Sequence, residues 1–393
     1  MTEATSRSRK KPRRSHRKSK NGCSECKKRH IRCDEGRPEC LHCLRAERIC
    51  SFSAQSPGAY ATPLSLAPST PGESRTSIST TSPPELKIPS HEIGFTFTSI
   101  HMILLHHAEV SLGQYMGLDG SVCPLIKYAT DSAFTAPYLL DQLLALSALH
   151  LATTDPSNCL EYYHQATKLQ TRALELFNHM KEDISEQNCI PNFLFASLLG
   201  IHVLRETLFH YQDNLGTFID AFVRYAQLHR GVRAVTNTYW DTIIQSDLEP
   251  LLYIRYMSAE AEKQEPGTET VPLKNFLATS KLGSESIKAC QGALEWVQWV
   301  LDLSKVCASR ADLAAHAVVA WPLLISREYI EILHQHQPEA LVVFSYYAAL
   351  LHRQRNFWVF GDSGSRVFHM ISRNLGSFWH DQLAWPTQVL NDV

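Results

Sequence analysis

From about residue 93 to the end of the chain, apolar side chains recur every three to four positions, the spacing that lines one face of an α-helix. Ile100, Ile103, Leu104 and His107 share one such face, and Leu139, Leu140, Leu143, Leu144, Ser147 and Leu151 another. Asn158 is placed to cap a long helix running to Met180, and Pro191 to open one toward Phe209. Further helical runs are predicted at 214–230, 284–307, 311–336, 338–360 and 364–379. Period-two alternation of any length is missing. Residues 93–393 therefore read as one all-α domain of roughly ten to thirteen helices.

The pattern stops upstream. Residues 51–90 hold seven prolines and fifteen serines and threonines with few large apolar side chains, a composition that cannot bury enough surface to fold. We read 51–92 as a flexible Pro/Ser/Thr-rich linker. It shows no heptad seam of apolar a and d positions, so a coiled-coil dimer is not legible there. Residues 1–22 are polar and basic, and read as a disordered tail. Between tail and linker, residues 23–50 offer only Ile31, Leu41, Leu44 and Ile49 to a core. So small a segment needs another source of stability.

Cysteine supplies it. Cys23, Cys26, Cys33, Cys40, Cys43 and Cys50 are spaced C-x2-C-x6-C-x6-C-x2-C-x6-C, so the first three and last three form two copies of one unit. With no apolar N-terminal run to mark secretion, such a set reads as metal ligands before disulfides. Two tetrahedral zinc ions need eight ligand positions, and six sulfurs fill them only if two sulfurs bridge. The repeat makes Cys23 and Cys40 the equivalent pair, leaving Cys26, Cys33, Cys43 and Cys50 terminal. A mononuclear site with two spare thiols, or a redox C-x-x-C, leaves the second copy of the spacing unexplained.

Charge sharpens the picture. The net charge of −1 hides an asymmetry: residues 1–50 carry 16 Lys and Arg against 6 Asp and Glu, a formal +10, so the remainder is −11. A basic module on an acidic body points to a polyanion, nucleic acid first. Lys10-Lys11-Pro12-Arg13-Arg14, continuing to Arg17 and Lys18, fits a nuclear localisation signal. Cys123, Cys159, Cys189, Cys290 and Cys307 show no ligand spacing and are expected to be buried small hydrophobes. No uncharged 18-residue stretch is expected to span a membrane. The best apolar run, Leu313 to Ile325, is short and broken by His316 and by Trp321-Pro322. The expectation is a soluble nuclear protein.

The cysteine spacing, the basic run Lys27-Lys28-Arg29-His30-Ile31-Arg32 and Pro38 before the fourth cysteine resemble the fungal binuclear zinc-cluster (Zn2Cys6) DNA-binding domain. The approach SKNGC and the loop CDEGRP are similar to the sterol uptake control protein branch. Less sharply, the helices ending in Ala320-Trp321-Pro322-Leu323-Leu324-Ile325 are similar to the fungal regulatory domain that follows such clusters. The resemblance implies short helices after Cys23 and Cys40, and a duplex DNA partner read in the major groove at a GC-rich triplet. Phosphates would be held by Lys18, Lys20, Arg32, Arg45 and Arg48, and base edges reached from Lys27, Lys28, Arg29 and His30. The family carries Lys or Arg where His30 stands. A neutral histidine has one donor and lacks arginine's fork, so guanine preference is expected to weaken there. In the sterol branch the helical domain receives a sterol.

Other signals carry less. Gly361-Asp362-Ser363-Gly364 copies the nucleophile tetrapeptide of trypsin-like proteases, but lies in helical surroundings without the partner histidine strand. It reads as a helix-to-helix turn with Asp or Ser as cap. Trp296, Trp299, Trp321, Tyr346, Phe357 and Trp358, with Tyr347 and Phe360, are candidates to line an apolar ligand pocket or to fill a core. The chain therefore reads as a non-enzymatic, zinc-dependent transcription regulator. Homodimer formation, coregulator binding and an apolar ligand are expected of its helical domain. A secondary-metabolite gene cluster is the favoured target; the alternatives are sterol-responsive control and repression without activation.

Overall fold

The computed structural model describes residues 22–29, 33–35, 40, 43, 50–51, 97–118, 122–180, 183–210, 214–252, 259–306 and 311–392. The expected tail up to Asn21 and the expected linker beyond Ser51 lie outside the described residues. So do Lys18, Lys20, His30, Arg32, Arg45 and Arg48. The chain divides into two compact units, Met1–Ser90 and His91–Val393.

In the first unit the described helix is α1, Ser24–Lys28; the second expected helix is represented only by Cys43 in helical conformation. The second unit opens with α2 (Ser99–Met116), α3 (Cys123–Asp131), α4 (Pro137–Thr154), α5 (Cys159–Met180) and α6 (Cys189–His210). It continues through α7 (Leu215–His229), α8 (Gly231–Ile244), α9 (Val271–Ala278), α10 (Ser284–Val306) and α11 (Ala311–Leu324). It closes with α12 (Arg327–His334), α13 (Pro338–Arg353), α14 (Ser363–Leu375) and α15 (Ala384–Asn391). No strand occurs among the described residues.

Two helices organise this unit because they are buried all the way round. Proline opens each at its first helical position, where the missing N–H costs nothing. In α4 every residue from Asp141 to Leu149 is buried, and in α13 every residue from Ala340 to Leu351. A helix without a polar face must be surrounded. Accordingly α2, α3, α5 and α6 pack on α4, while α10, α11, α12, α14 and α15 pack on α13. Helix α6 contributes Ile201 and Val203 to both cores, and Trp358 packs against the clusters of both halves. The buried charge inside α4 is satisfied: Asp141, almost fully buried, takes a bidentate grip from Nε and Nη2 of Arg172 on α5.

Several expectations are corrected by packing. The run 311–336 is two helices, because Pro322 removes a backbone donor near the end of α11 and Ser326 caps α12 by accepting from the N–H of Tyr329. The run 338–360 stops at Arg353, and 364–379 begins at Ser363 and ends at Leu375 before a 3-10 turn, Ser377–Trp379. Among the described residues the unit holds fourteen α-helices, more than expected, since the short α3, α9 and α15 have too few turns to show a period and α8 is kinked at Tyr239. On α2 the buried face runs through His101, Leu104, Ala108, Leu112 and Tyr115, which leaves Ile103 exposed. Asn158 sits at the start of α5, but its amide donates back to Asp155, which organises the turn. Cys123 is exposed and Cys159 half-buried, whereas Cys189 and Cys290 are buried as expected. Contrary to the hydropathy reading, α6 is long and apolar enough by composition to cross a membrane; half of its apolar window is buried within the protein.

The tetrapeptide Gly361 to Gly364 forms the turn into α14. Gly361 has φ of +48°, and a side chain at Gly364 would meet the backbone nitrogen of His352 at 2.3 Å. Ser363 is fully buried. These glycines serve close helix packing.

Candidate metal centre

The first unit is built inward onto sulfur. All six cysteines are buried, none more than 3% exposed. Cys23 heads α1 and its Sγ accepts from the N–H of Cys26 at 3.3 Å, so a thiol occupies the N-cap where oxygen is usual. The twofold repeat in the sequence has a counterpart in space. The N–H of Cys23 donates to Cys33 Sγ at 3.4 Å, and that of Cys40 to Cys50 Sγ at 3.5 Å, ten residues on in each half.

The central sulfurs lie across the halves. Cys23 Sγ is 3.7 Å from Cys40 Sγ and 3.6 Å from Cys43 Sγ, while Cys26 Sγ is 3.5 Å from Cys40 Sγ. Sulfurs bound to one zinc at the usual ~2.3 Å bond length stand ~3.8 Å apart along a tetrahedral edge. The donor set therefore fits zinc: Cys23, Cys26, Cys40 and Cys43 lie within one ligand sphere's reach, and Cys33 stands close to Cys40. Cys23 meets Cys40 and Cys43, and Cys40 meets Cys23 and Cys26, so each approaches two sulfurs of the opposite half, as bridging requires.

The thiols also need a cation. Burial raises the pKa of Cys26 and Cys40, and pushes Cys43 up to about 12. Cys33 is held below the usual thiol range; burial opposes this but is outweighed by backbone donors from Cys23 and Glu35. Buried thiols of this kind stay protonated until a divalent ion replaces their protons. Zinc would be held by all six sulfurs and would supply structural stability.

Beside the centre, Lys27, Lys28 and Arg29 are exposed at the C-terminal end of α1. Cation charge there also suits the helix dipole. Sequence reasoning missed Ser51, whose hydroxyl accepts from the backbone N–H of Ser24 at 2.9 Å and ties the end of the module to its first helix. A serine directly after the sixth cysteine was the available signal.

The candidate ligand-pocket aromatics fall elsewhere, in the second unit's core. Trp321 is fully buried, stacks on Tyr347 at 4.3 Å and donates from Nε1 to the carbonyl of Ala293. Tyr346 stacks on Trp385, Trp296 meets Trp299 edge-on, and Phe357 meets Phe360 edge-on. Trp358 stands edge-on to Tyr115 and His150, and its carbonyl takes a guanidinium N–H from Arg205. None of Trp296, Trp299, Trp321, Tyr346, Phe357 and Trp358 lines the cavity of about 460 Å3 that opens between α5, α6 and α7.

A sulfur centre of this build beside an exposed basic helix end defines a zinc-cluster DNA-binding protein. Residues 21–59 match the fungal Zn(2)-Cys(6) binuclear cluster domain, and the likeness to known proteins supports a fungal Zn2Cys6 factor that takes part in DNA-binding transcription regulation. It is 24% identical over 436 aligned positions to a Zn(2)-C6 fungal-type transcription factor of Gibberella zeae, covering 96% of this chain and 87% of that protein. It is 31% identical to the Zn(2)-C6 fungal-type transcription factor afumD of Aspergillus fumigatus, over 38% of this chain and 36% of that one. Over 38 residues, 10% of this chain and 4% of the other, it is 47% identical to Sterol uptake control protein 2 of Saccharomyces cerevisiae.

Proposed function

We propose that the chain is a nuclear, sequence-specific regulator of a biosynthetic gene cluster, with a zinc module that reads DNA and a helical unit that regulates the outcome. The observation that carries the DNA-reading part is the juxtaposition in α1. Cys23 and Cys26 anchor one face of the helix to the metal, while Lys27, Lys28 and Arg29 stand exposed at its end. A metal-anchored helix presents its basic end rigidly, as entry into a major groove requires. Phosphate contacts from these cations supply affinity and base-edge contacts supply choice. His30, next in line, is proposed to weaken guanine preference at one position of a GC-rich triplet.

The biosynthetic-cluster reading rests on the likeness, over 96% of this chain, to a Zn(2)-C6 fungal-type transcription factor. The second reading, sterol-responsive control, is supported by the likeness to Sterol uptake control protein 2. That likeness spans 38 residues, so it does not reach across the helical unit where an effector would bind. No enzymatic role is proposed: Ser363 of the protease-like tetrapeptide is buried against a neighbouring helix.

The test is selection of preferred duplexes by zinc-loaded protein, followed by salt titration of wild type and Lys28→Ala. Loss of one phosphate contact should weaken all sequences alike and lower the salt slope by about one. Absence of any enriched motif would sink the sequence-specific reading.

A further inference from the structure

The cavity between α5, α6 and α7 carries two opposite charges that do not pair with each other. Glu206 on α6 and Arg224 on α7 both line it. Arg224 is exposed and has no ion-pair or hydrogen-bond partner among the described residues. The Glu206 side chain is 25% exposed, and its carboxylate is short of donors. Nδ1 of His210 donates to the backbone carbonyl of Glu206 at 3.0 Å, so Nε2 of the neutral ring is an acceptor. The Tyr163 hydroxyl lies 2.8 Å from that Nε2 and 3.3 Å from Glu206 Oε1, so its one proton goes to the histidine. Nε2 of His202, a buried neutral ring, stands 3.9 Å from Oε1, too far to donate. Both charges are therefore open to solvent, and neither meets a counter-charge among the described residues.

The crossing of the helices brings the two charges level. A side chain at Gly200 on α6 would meet the ring of His229 at the end of α7, and the two helices run antiparallel. Measured from that contact, Arg224 lies about 7.5 Å along α7 and Glu206 about 9 Å along α6. Near the contact itself the wall is apolar. Leu174, Leu199 and Leu228 line it, and Leu228 is left 44% exposed.

We propose that this cavity binds a free α-amino acid with an apolar side chain. Its carboxylate pairs with Arg224, its ammonium group with Glu206, and its side chain lies against Leu174, Leu199 and Leu228. A ligand that displaces water from both wall charges must replace what the water gave to each. An organic acid would bring its anion beside Glu206, and an amine its cation beside Arg224. A neutral molecule would desolvate both charges without return. Carboxylate and ammonium on one carbon match two wall groups at nearly one height, and the apolar end selects the side chain. The volume of about 460 Å3 falls in the range of small-molecule sites, ~300–1,000 Å3. The site stands in the helical unit and is independent of how the zinc module reads DNA.

The test is calorimetric titration of the zinc-loaded full chain with L-phenylalanine. Phenethylamine, which lacks the carboxylate, and hydrocinnamate, which lacks the ammonium group, are titrated beside it. Wild type should bind phenylalanine saturably at one site, about tenfold or more tighter than either analogue. Glycine, with both charges and no side chain, should also bind about tenfold more weakly. Arg224→Gln should bind phenylalanine and phenethylamine about equally, and Glu206→Gln should bind phenylalanine and hydrocinnamate about equally. A merely structural role for either residue would weaken all the compounds alike. Failure of wild type to bind phenylalanine, binding of either analogue as tight as phenylalanine, or an unchanged preference in either variant would overturn the proposal. The wild-type series decides if a variant does not fold. The readout needs no DNA, so this site and the proposed DNA reading fail separately.

Discussion

The two units of this protein solve the same problem with opposite materials. The zinc module gathers six sulfurs, each almost completely buried, and among its described residues they are its core. The helical unit has no metal-ligand set among its described residues and closes around Trp321, Phe344, Tyr347 and the buried helices α4 and α13. In the first, a few strong and directional bonds replace area. In the second, stability is spread over many weak contacts, so no one residue is decisive. The contrast predicts different ways of failing.

The largest effect should come from removing metal. Structural zinc contributes on the order of 10 kcal/mol or more to modules of this kind. Chelation or Cys40→Ala should therefore unfold the module and abolish DNA binding, while the melting of the helical unit stays put. Elemental analysis should find two zinc ions per chain; one would rule out bridging by Cys23 and Cys40.

Core truncation should do the reverse. Trp321→Ala removes a fully buried indole, its stack on Tyr347 and its bond to Ala293. A loss of about 3–5 kcal/mol is expected in the unfolding of the helical unit, with zinc content unchanged.

Acid should strain both units for different reasons. Burial lowers the His202 pKa to about 3 and those of His150 and His229 to about 4. These side chains are neutral when folded and take up protons near the ordinary value of about 6.5 when unfolded. The unfolded state thus binds more protons, so stability is full above that pH and falls as pH drops toward 4. His202→Leu should flatten that slope in the helical unit, by at most about 3 kcal/mol across the window. It should leave acid-driven zinc release, which follows thiol protonation, untouched. Denaturant titrations at several pH values, with zinc release followed in parallel, would separate the two; an unaltered slope would mean His202 is not the proton-linked group.

The smallest effect is local. Asn214 caps α7 by accepting from the N–H of Thr217 at 3.1 Å, and Asn214→Ala should cost about 1 kcal/mol. A calorimetric shift several times larger would mean the cap also organises the approach to the cavity.

The metal ligands, the helical class and the span of α5 to Met180 were legible in the sequence. So was the start of α10 at Ser284, because each depends on residues close together in the chain. Ligand spacing within 28 residues leaves short loops few ways to gather the sulfurs, and helical period is a property of consecutive turns. What the tertiary structure decided is where non-local packing left room and where it did not. The aromatics of the second half became core because α13 is surrounded on all sides. The cavity arose instead where α5, α6 and α7 leave a space lined by Leu199, Glu206 and Arg224 among others. Likewise α2 is apolar around much of its surface, and only its docking on α4 determines that Leu104 turns inward and Ile103 outward. A sequence records which side chains are apolar; which of them meet, and which leave a gap, depends on the crossing of helices far apart in the chain.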